Sequence, residues 1–574
     1  MPPGAATITV RETLDLLDGP FVGLAEGVGQ RRYALWLGSG ISRERVDDLR
    51  GVIKRVLAYL RDRIDPGNVN CRFHKALRDA LSLAELSAGE QTGVELDRPV
   101  DDWTCLPVIL QRLTGRYALL LDVRVEGEAA DFLLWDVVNV RTTFAAAVPD
   151  CEHLCIAVLA IEGIIPDIAS GNWDGLLEAA VAELDGSGGS TLRVCVRSDD
   201  LRQLPLRARL MKFHGCAIRA GADPATYRPL LVAQQSQITN WPHDPVWAPM
   251  RDQLVSLAVT KPTLMIGLSA QDSNIQDIFS EAQATMAWPW PCDPPAHVFA
   301  EGELGSFQRN ILRFVYRDAY AANTSAVEEG AKLPAFGKPL LTALVLYVLC
   351  AKMRAFASVV DAPNLSNADR SLIGNGLNLL RDRVAHGATA VAPLVFIRII
   401  VRESARALTL FQEGHLPVSG TRSYRALGSE PVHQVATDPT LSTWGIREMA
   451  AALGLMGLGE ESGLWNVSNG DTGAANDGVL RVASSGTGSV TRVFFTANTS
   501  VALRLETNGL VNDDDGDAVV IHSTSPIAPM PRSPRRAPGR TGSLKARHVD
   551  MNMLLHDAVT MHDLRDCFRV EAAL

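Results

Sequence analysis

The strongest constraint on this chain is a set of short, nearly all-apolar runs that each end in a glycine or polar corner. They are "RRYALWLGSGIS" (31–42), "IPDIASGN" (165–172), "TLRVCVRS" (191–198), "ARLMKFHG" (208–215), the first part of "PTLMIGLSAQDSNIQDIFSEA" (262–282) and "AHVFAEG" (296–302). Runs this short and this apolar predict strands buried on both faces. The segments between them carry apolar residues at helical spacing, as in "RVDDLRGVIKRVLAYLRDRI" and across most of residues 75 to 165. The expected fold is α/β: a Rossmann-like parallel sheet covered by helices on both faces, with an inserted helical subdomain. Ligands in such sheets bind outside the carboxyl ends of the strands. That puts the chemistry at four corners: GSGIS (38–42), GNWD (171–174), FHG (213–215) and GLSAQDSN (267–274).

Each corner also has a plainer reading. Glycines after a strand let backbone approach a phosphate, but GSGIS is equally a tight turn, and it is not the G-x-G-x-x-G dinucleotide fingerprint. Asp174 suits a helix cap. Asn172 is a turn former or a neutral amide able to hold a water or a ribose hydroxyl. His214 ends a strand next to a glycine and can accept a proton at neutral pH. Ser269, Asp272 and Asn274 open a helix, as a capped start or as a second phosphate or ribose turn.

The character changes near residue 335. Residues 339–412 and 441–457 are helical in pattern, and from 478 the runs "GVLRVASS", "SVTRVFFTA", "VALRLETNG" and "DAVVIHS" predict a small antiparallel sheet. "NDDDGD" (512–517) lacks the later glutamate of a calcium loop and reads as a hairpin turn. The Pro/Arg-rich stretch 523–547 reads as a flexible linker, with contact of its basic residues to nucleic acid as the alternative. The expected division is 1–330, 335–460 as a helical regulatory or oligomerising region, and 461–574 as a small β-rich part.

Net charge is −10, from 55 basic and 65 acidic residues, which disfavours a general nucleic-acid or membrane surface. The nine cysteines are too sparse for a disulfide framework. The longest apolar runs, 341–351 and 391–397, fall short of the ~20 residues that span a bilayer. The N-terminus has no basic region leading into an apolar one. The expectation is a cytoplasmic protein.

Taken together and in this order, the corners resemble the sirtuin superfamily over roughly residues 25 to 320, and within it the Sir2-type domains of bacterial anti-phage defence. The matching residues are Gly38, Ser39, Gly40 and Ser42; Ser170, Gly171, Asn172, Trp173 and Asp174; Lys212, Phe213, His214 and Gly215; and Gly267, Ser269, Asp272 and Asn274. Two features depart from the family pattern. Ser-Gly replaces the usual Thr before Asn172, and no Pro-Asp-Phe-Arg segment follows GSGIS. The paired Cys-x-x-Cys zinc ligands of lysine deacylases are also missing after His214, where Cys216, Cys292, Cys350 and Cys567 stand isolated.

The resemblance implies NAD as substrate, no zinc, and an NAD glycohydrolase acting as an anti-phage effector. Asn172 and His214 would be catalytic. Gly38, Ser39, Gly40, Ser42, Asp174, Gly267, Ser269, Asp272 and Asn274 would bind the dinucleotide. It also implies self-assembly or a HerA-type ATPase partner, with a short Argonaute fitting the helical block less well. A protein deacylase and a non-catalytic nucleotide-sensing scaffold are the competing expectations.

Overall fold

The computed structural model describes residues 4–574 apart from 69, 187–190, 205, 418–423, 440, 442–444, 471–476, 513–514 and 524–545. Most of the flexible-linker expectation at 523–547 therefore lies outside the described residues.

The apolar runs form one parallel sheet. Its strands are β1 (Ala34–Leu37), β2 (Asp167–Ser170), β3 (Leu192–Cys195), β4 (Ala208–Lys212), β5 (Thr263–Ile266), β6 (His297–Ala300) and the two-residue β7 (Lys332–Leu333), in the order β3-β4-β2-β1-β5-β6-β7. β1 lies at the centre, with Trp36 level with Ala169 of β2 and with Met265 of β5. Side chains alternate across a strand, so β1 feeds two cores. Ala34 and Trp36 join a cluster with Phe213, Phe279 and Phe299, covered by the helical insert. Leu35 and Leu37 join the opposite cluster, with Ile168, Leu264 and Val298. The first insert helix, Leu49–Asp62, starts four residues later than the apolar spacing alone suggests. Asp48 accepts the Gly51 N–H and sets that start.

The helix Gly337–Ser358 belongs to the second core: Leu340, Leu341, Leu344 and Val345 share its cluster with Leu35, Leu37 and Ile266. This 22-residue helix is long and apolar enough to cross a membrane by composition, which the 341–351 run alone did not suggest. Its most apolar window is 78% buried inside the fold. A polar clamp ties residues 424–428 to this helix and to the end of the helix Cys151–Ile161. Lys352 and Glu162, both at 0% side-chain exposure, pair at 2.6 Å, and Glu162 also accepts from the Tyr424 hydroxyl and the Leu427 N–H.

The C-terminal sheet corrects one expectation. It is mixed, in the order β12-β11-β10-β9-β8, with β8 (Trp465–Asn469), β9 (Leu480–Ser484), β10 (Val490–Thr496), β11 (Ala518–His522) and β12 (Arg547–Asp550). β8, β9 and β10 pair antiparallel, but β10, β11 and β12 are parallel. "VALRLETNG" lies in a helix, Thr499–Thr507, which makes the crossover that a parallel pair requires. The acidic stretch from 512 follows this crossover helix and leads into β11, so it does not join a hairpin; residues 513 and 514 lie outside the described set.

Candidate active site

All four corners close around one small cavity, and the turn glycines explain how two of them come so near. Gly40 N–H donates to the Gly267 carbonyl at 3.0 Å, and Gly38 N–H donates to the Ile266 carbonyl at 3.1 Å. A Cβ on Gly38 would stand 2.3 Å from the Gly267 oxygen, and one on Gly267, whose φ is +63°, would stand 2.8 Å from the Gly40 Cα. No side chain fits between these two turns. The same bonds occupy two of the N–H groups expected to cradle a pyrophosphate.

The cavity, of about 120 Å³, is lined by Gly38, Ser39, Asn172, Asp174, His214, Gly267, Ser269 and Asp272, with Trp173, Phe144 and Tyr117 among its other walls. Ser42 and Asn274 stand behind it, and Gly40 lines a larger neighbouring cavity of about 540 Å³. Gly267 and Arg43 line both, so the two spaces adjoin.

Asn172 is 9% exposed and fixed by its neighbours. Its N–H donates to Ser170 Oγ at 3.1 Å, and its Nδ2 donates to the Gly38 carbonyl at 3.1 Å and to Ser42 Oγ at 3.4 Å. The serine that replaces the usual residue before Asn172 thus holds the corner. Ser42 Oγ also lies 3.2 Å from Nε2 of His153. The Asp150 N–H donates to Nδ1 of that ring, so the ring proton sits on Nε2 and points at the serine. Burial holds His153 down at about 4, so this buried ring stays neutral.

His214 is buried, and Asn274 Nδ2 donates to its Nε2 at 2.9 Å. Nδ1 therefore carries the ring proton. Burial pushes the His214 pKa below its ordinary value, against the pull of Asp272 and of the Asn274 hydrogen bond. Asn274 Oδ1 is buried with no partner, as is Nε1 of Trp173. Orphaned polar atoms in and beside a cavity are what a bound polar ligand would satisfy.

Asp174, one residue before the N-cap Gly175, accepts the Leu176 N–H at 3.1 Å while still facing the cavity. Its carbonyl accepts from the buried Lys212 ammonium, which pairs with Glu178 at 2.9 Å. Asp272 accepts from the Tyr117 hydroxyl at 3.0 Å. Tyr117 and His153 escape sequence reasoning. Tyr117 sits in the helical insert, 155 positions from Asp272. His153 could have been marked as a lone histidine in the helix Cys151–Ile161, which is apolar apart from it and Glu152.

Beyond His214, the segment where deacylases carry their zinc lobe is held by apolar packing. Trp241, Trp247 and Leu230 are buried there, and Trp241 Nε1 donates to the Phe213 carbonyl at 3.2 Å. Among the described residues, no group of three or more His, Cys, Asp or Glu is arranged to hold a metal ion.

Residues 166–304 match a family model described as a SIR2-like domain. The match runs from the start of β2 to just past β6. β1 and its GSGIS turn lie upstream of it, in the same sheet. No curated protein matches the chain.

Proposed function

The chain carries a Sir2-type domain, a fold family with NAD-related chemistry, and from that premise we propose that it is an NAD glycohydrolase releasing nicotinamide and ADP-ribose. One observation carries the reading. Asn172 and His214 face a single cavity at the carboxyl edge of the sheet, each locked by hydrogen bonds, with the unpartnered Asn274 Oδ1 beside them.

The fit to a dinucleotide rests on size and polarity. The 120 Å³ space suits a nicotinamide-sized group, and the adjoining 540 Å³ space has room for the rest. Bound NAD supplies a pyridinium that departs as a neutral molecule, with oxocarbenium character at the ribose carbon. The protein's part is positional and electrostatic. Asn172, its amide fixed on Gly38 and Ser42, orients a water or a ribose hydroxyl. His214 is neutral at pH 7 and presents its lone pair at Nε2. A hydroxyl that displaces the Asn274 N–H there can pass its proton to the ring. The Asn274 amide, turned over, would then accept from the protonated Nε2 through Oδ1, so one side chain serves both forms of the ring. Ser269 and Asp272 supply acceptors for ribose hydroxyls.

The missing cysteine pairs favour hydrolysis over deacylation. We further propose an anti-phage effector role, with the activity restrained until a trigger arrives. Residues 335–574 would restrain or assemble it, through self-association or a HerA-type ATPase. The test is to supply purified protein with NAD, with and without an acetyl-lysine peptide. Nicotinamide release that does not depend on the peptide supports the hydrolase. Release only with the peptide, with O-acetyl-ADP-ribose as product, would make it a deacylase. Tight nucleotide binding without turnover would make it a sensor or scaffold.

A further inference from the structure

The larger cavity contains a group that the proposed reaction does not use. Glu152, in the first turn of the helix Cys151–Ile161, faces it at 7% exposure, and its Oε2 is buried without a partner. Gly337 stands opposite, where an added Cβ would lie 3.1 Å from the Glu152 Cγ, so the carboxyl is packed into place. A carboxyl oxygen so deeply buried without a partner costs free energy unless a ligand satisfies it.

The surroundings say what kind of ligand. Glu44 and Glu301 line the same space, and Asp150 lies beside Glu152. Lys338 is already paired, at 2.7 Å with Glu44 and 3.2 Å with Asp150, and Arg45 is paired with Asp150 at 3.2 Å. Arg43 sits where the two cavities meet. Burial pushes Glu152 up to about 7 and raises Glu301 as well. A wall of this kind accepts hydrogen bonds from hydroxyls. It offers no free cation to balance a phosphate dianion, except at the junction, where a pyrophosphate would pass.

We propose that Glu152 is the specificity determinant of the dinucleotide site: it accepts a hydrogen bond from the adenosine ribose and excludes a 2′-phosphate, so the site takes NAD and rejects NADP. A carboxylate reading a ribose hydroxyl is the general solution for this discrimination in parallel-sheet dinucleotide sites. The inference rests on the NAD reading above.

The test measures binding of NAD and NADP by calorimetry to full-length Asn172→Ala protein, alongside nicotinamide release by the otherwise unaltered chain. The preference for NAD should be at least about tenfold, the scale of one well-placed hydrogen bond plus a charge clash. Glu152→Gln, nearly isosteric, should bring the two affinities to near parity, and Glu152→Ala should do the same by weakening NAD. A preference unchanged in both variants, or absent from the parent, overturns the assignment of Glu152 while leaving NAD cleavage standing. No NAD binding together with no nicotinamide release overturns the NAD reading, and this inference with it.

Discussion

Asn274 holds Nε2 of His214 with a 2.9 Å hydrogen bond from its amide nitrogen, and so decides which ring nitrogen carries the proton. The sequence resemblance implied Asn274 as a dinucleotide contact; its geometry makes it first a partner of the candidate base. Replacing it by aspartate should reverse the tautomer and stabilise the imidazolium. The His214 pKa would rise, and the acid limb of nicotinamide release would move to higher pH. Asn274→Ala should lower the rate by up to about the 10²–10⁴-fold that a positioned general base contributes. The pH–rate profile separates the two outcomes.

The two glycine turns leave no room for a side chain. Gly267→Ala must place a Cβ at φ +63° and within 2.8 Å of the Gly40 Cα. The left-handed conformation alone costs roughly 1–2 kcal/mol, and the contact adds to it. The variant should melt at lower temperature and lose nicotinamide release, because the Gly38 carbonyl that holds Asn172 would move.

Lys352 and Glu162 form a fully buried pair. Lys352→Met would leave a buried carboxylate without its counter-charge, a change that typically costs about 3–5 kcal/mol. Denaturant unfolding should show the loss. Protection of the amides in residues 424–430 from hydrogen exchange should fall with it, since Gly428, Leu427 and Tyr424 all bond to this pair.

Buried histidines make the fold sensitive to acid. Burial depresses His153 to about 4 and His297 to about 3, both from 6.5. A depressed folded-state pKa gives stability that is complete above 6.5 and lost as pH falls toward the folded value. Glu152, raised to about 7, works the other way: its contribution is present below 4.5 and lost as pH rises to 7. Between pH 6.5 and 4.5 these two histidines lose stability on acidification, as does the depressed His214, while Glu152 and the raised Glu301 gain it. His297→Gln removes one of the two, so its unfolding midpoint should change less between pH 6.5 and 5 than that of the unaltered chain.

The parallel sheet and its corners were legible because strands buried on both faces appear as continuous apolar runs, each ending where the chain must turn. The C-terminal sheet was less so. In "VALRLETNG" the bulky residues Val501, Leu503 and Leu505 alternate like a strand, yet the buried set is Val501, Ala502 and Leu505, and Leu503 is 49% exposed. A small alanine facing the core hid the helical period. Asn172, Asp174, His214 and Asp272 could be placed from the sequence because they sit in the turns that follow strands. Tyr117 and His153 could not, since each reaches the site from a helix far away in the chain, by a contact that no local pattern encodes. Glu152 carries no motif at all, and only its burial without a partner marks it.

The most direct test of the central claim is nicotinamide release from NAD by the purified chain and by Asn172→Ala, each measured alone and with lysate from phage-infected cells. The account predicts nicotinamide and ADP-ribose in equal amounts from the unaltered protein, at least once activated, and none from the variant although it folds normally. Release that survives the substitution, or continued silence from the unaltered protein with activated lysate, would contradict it.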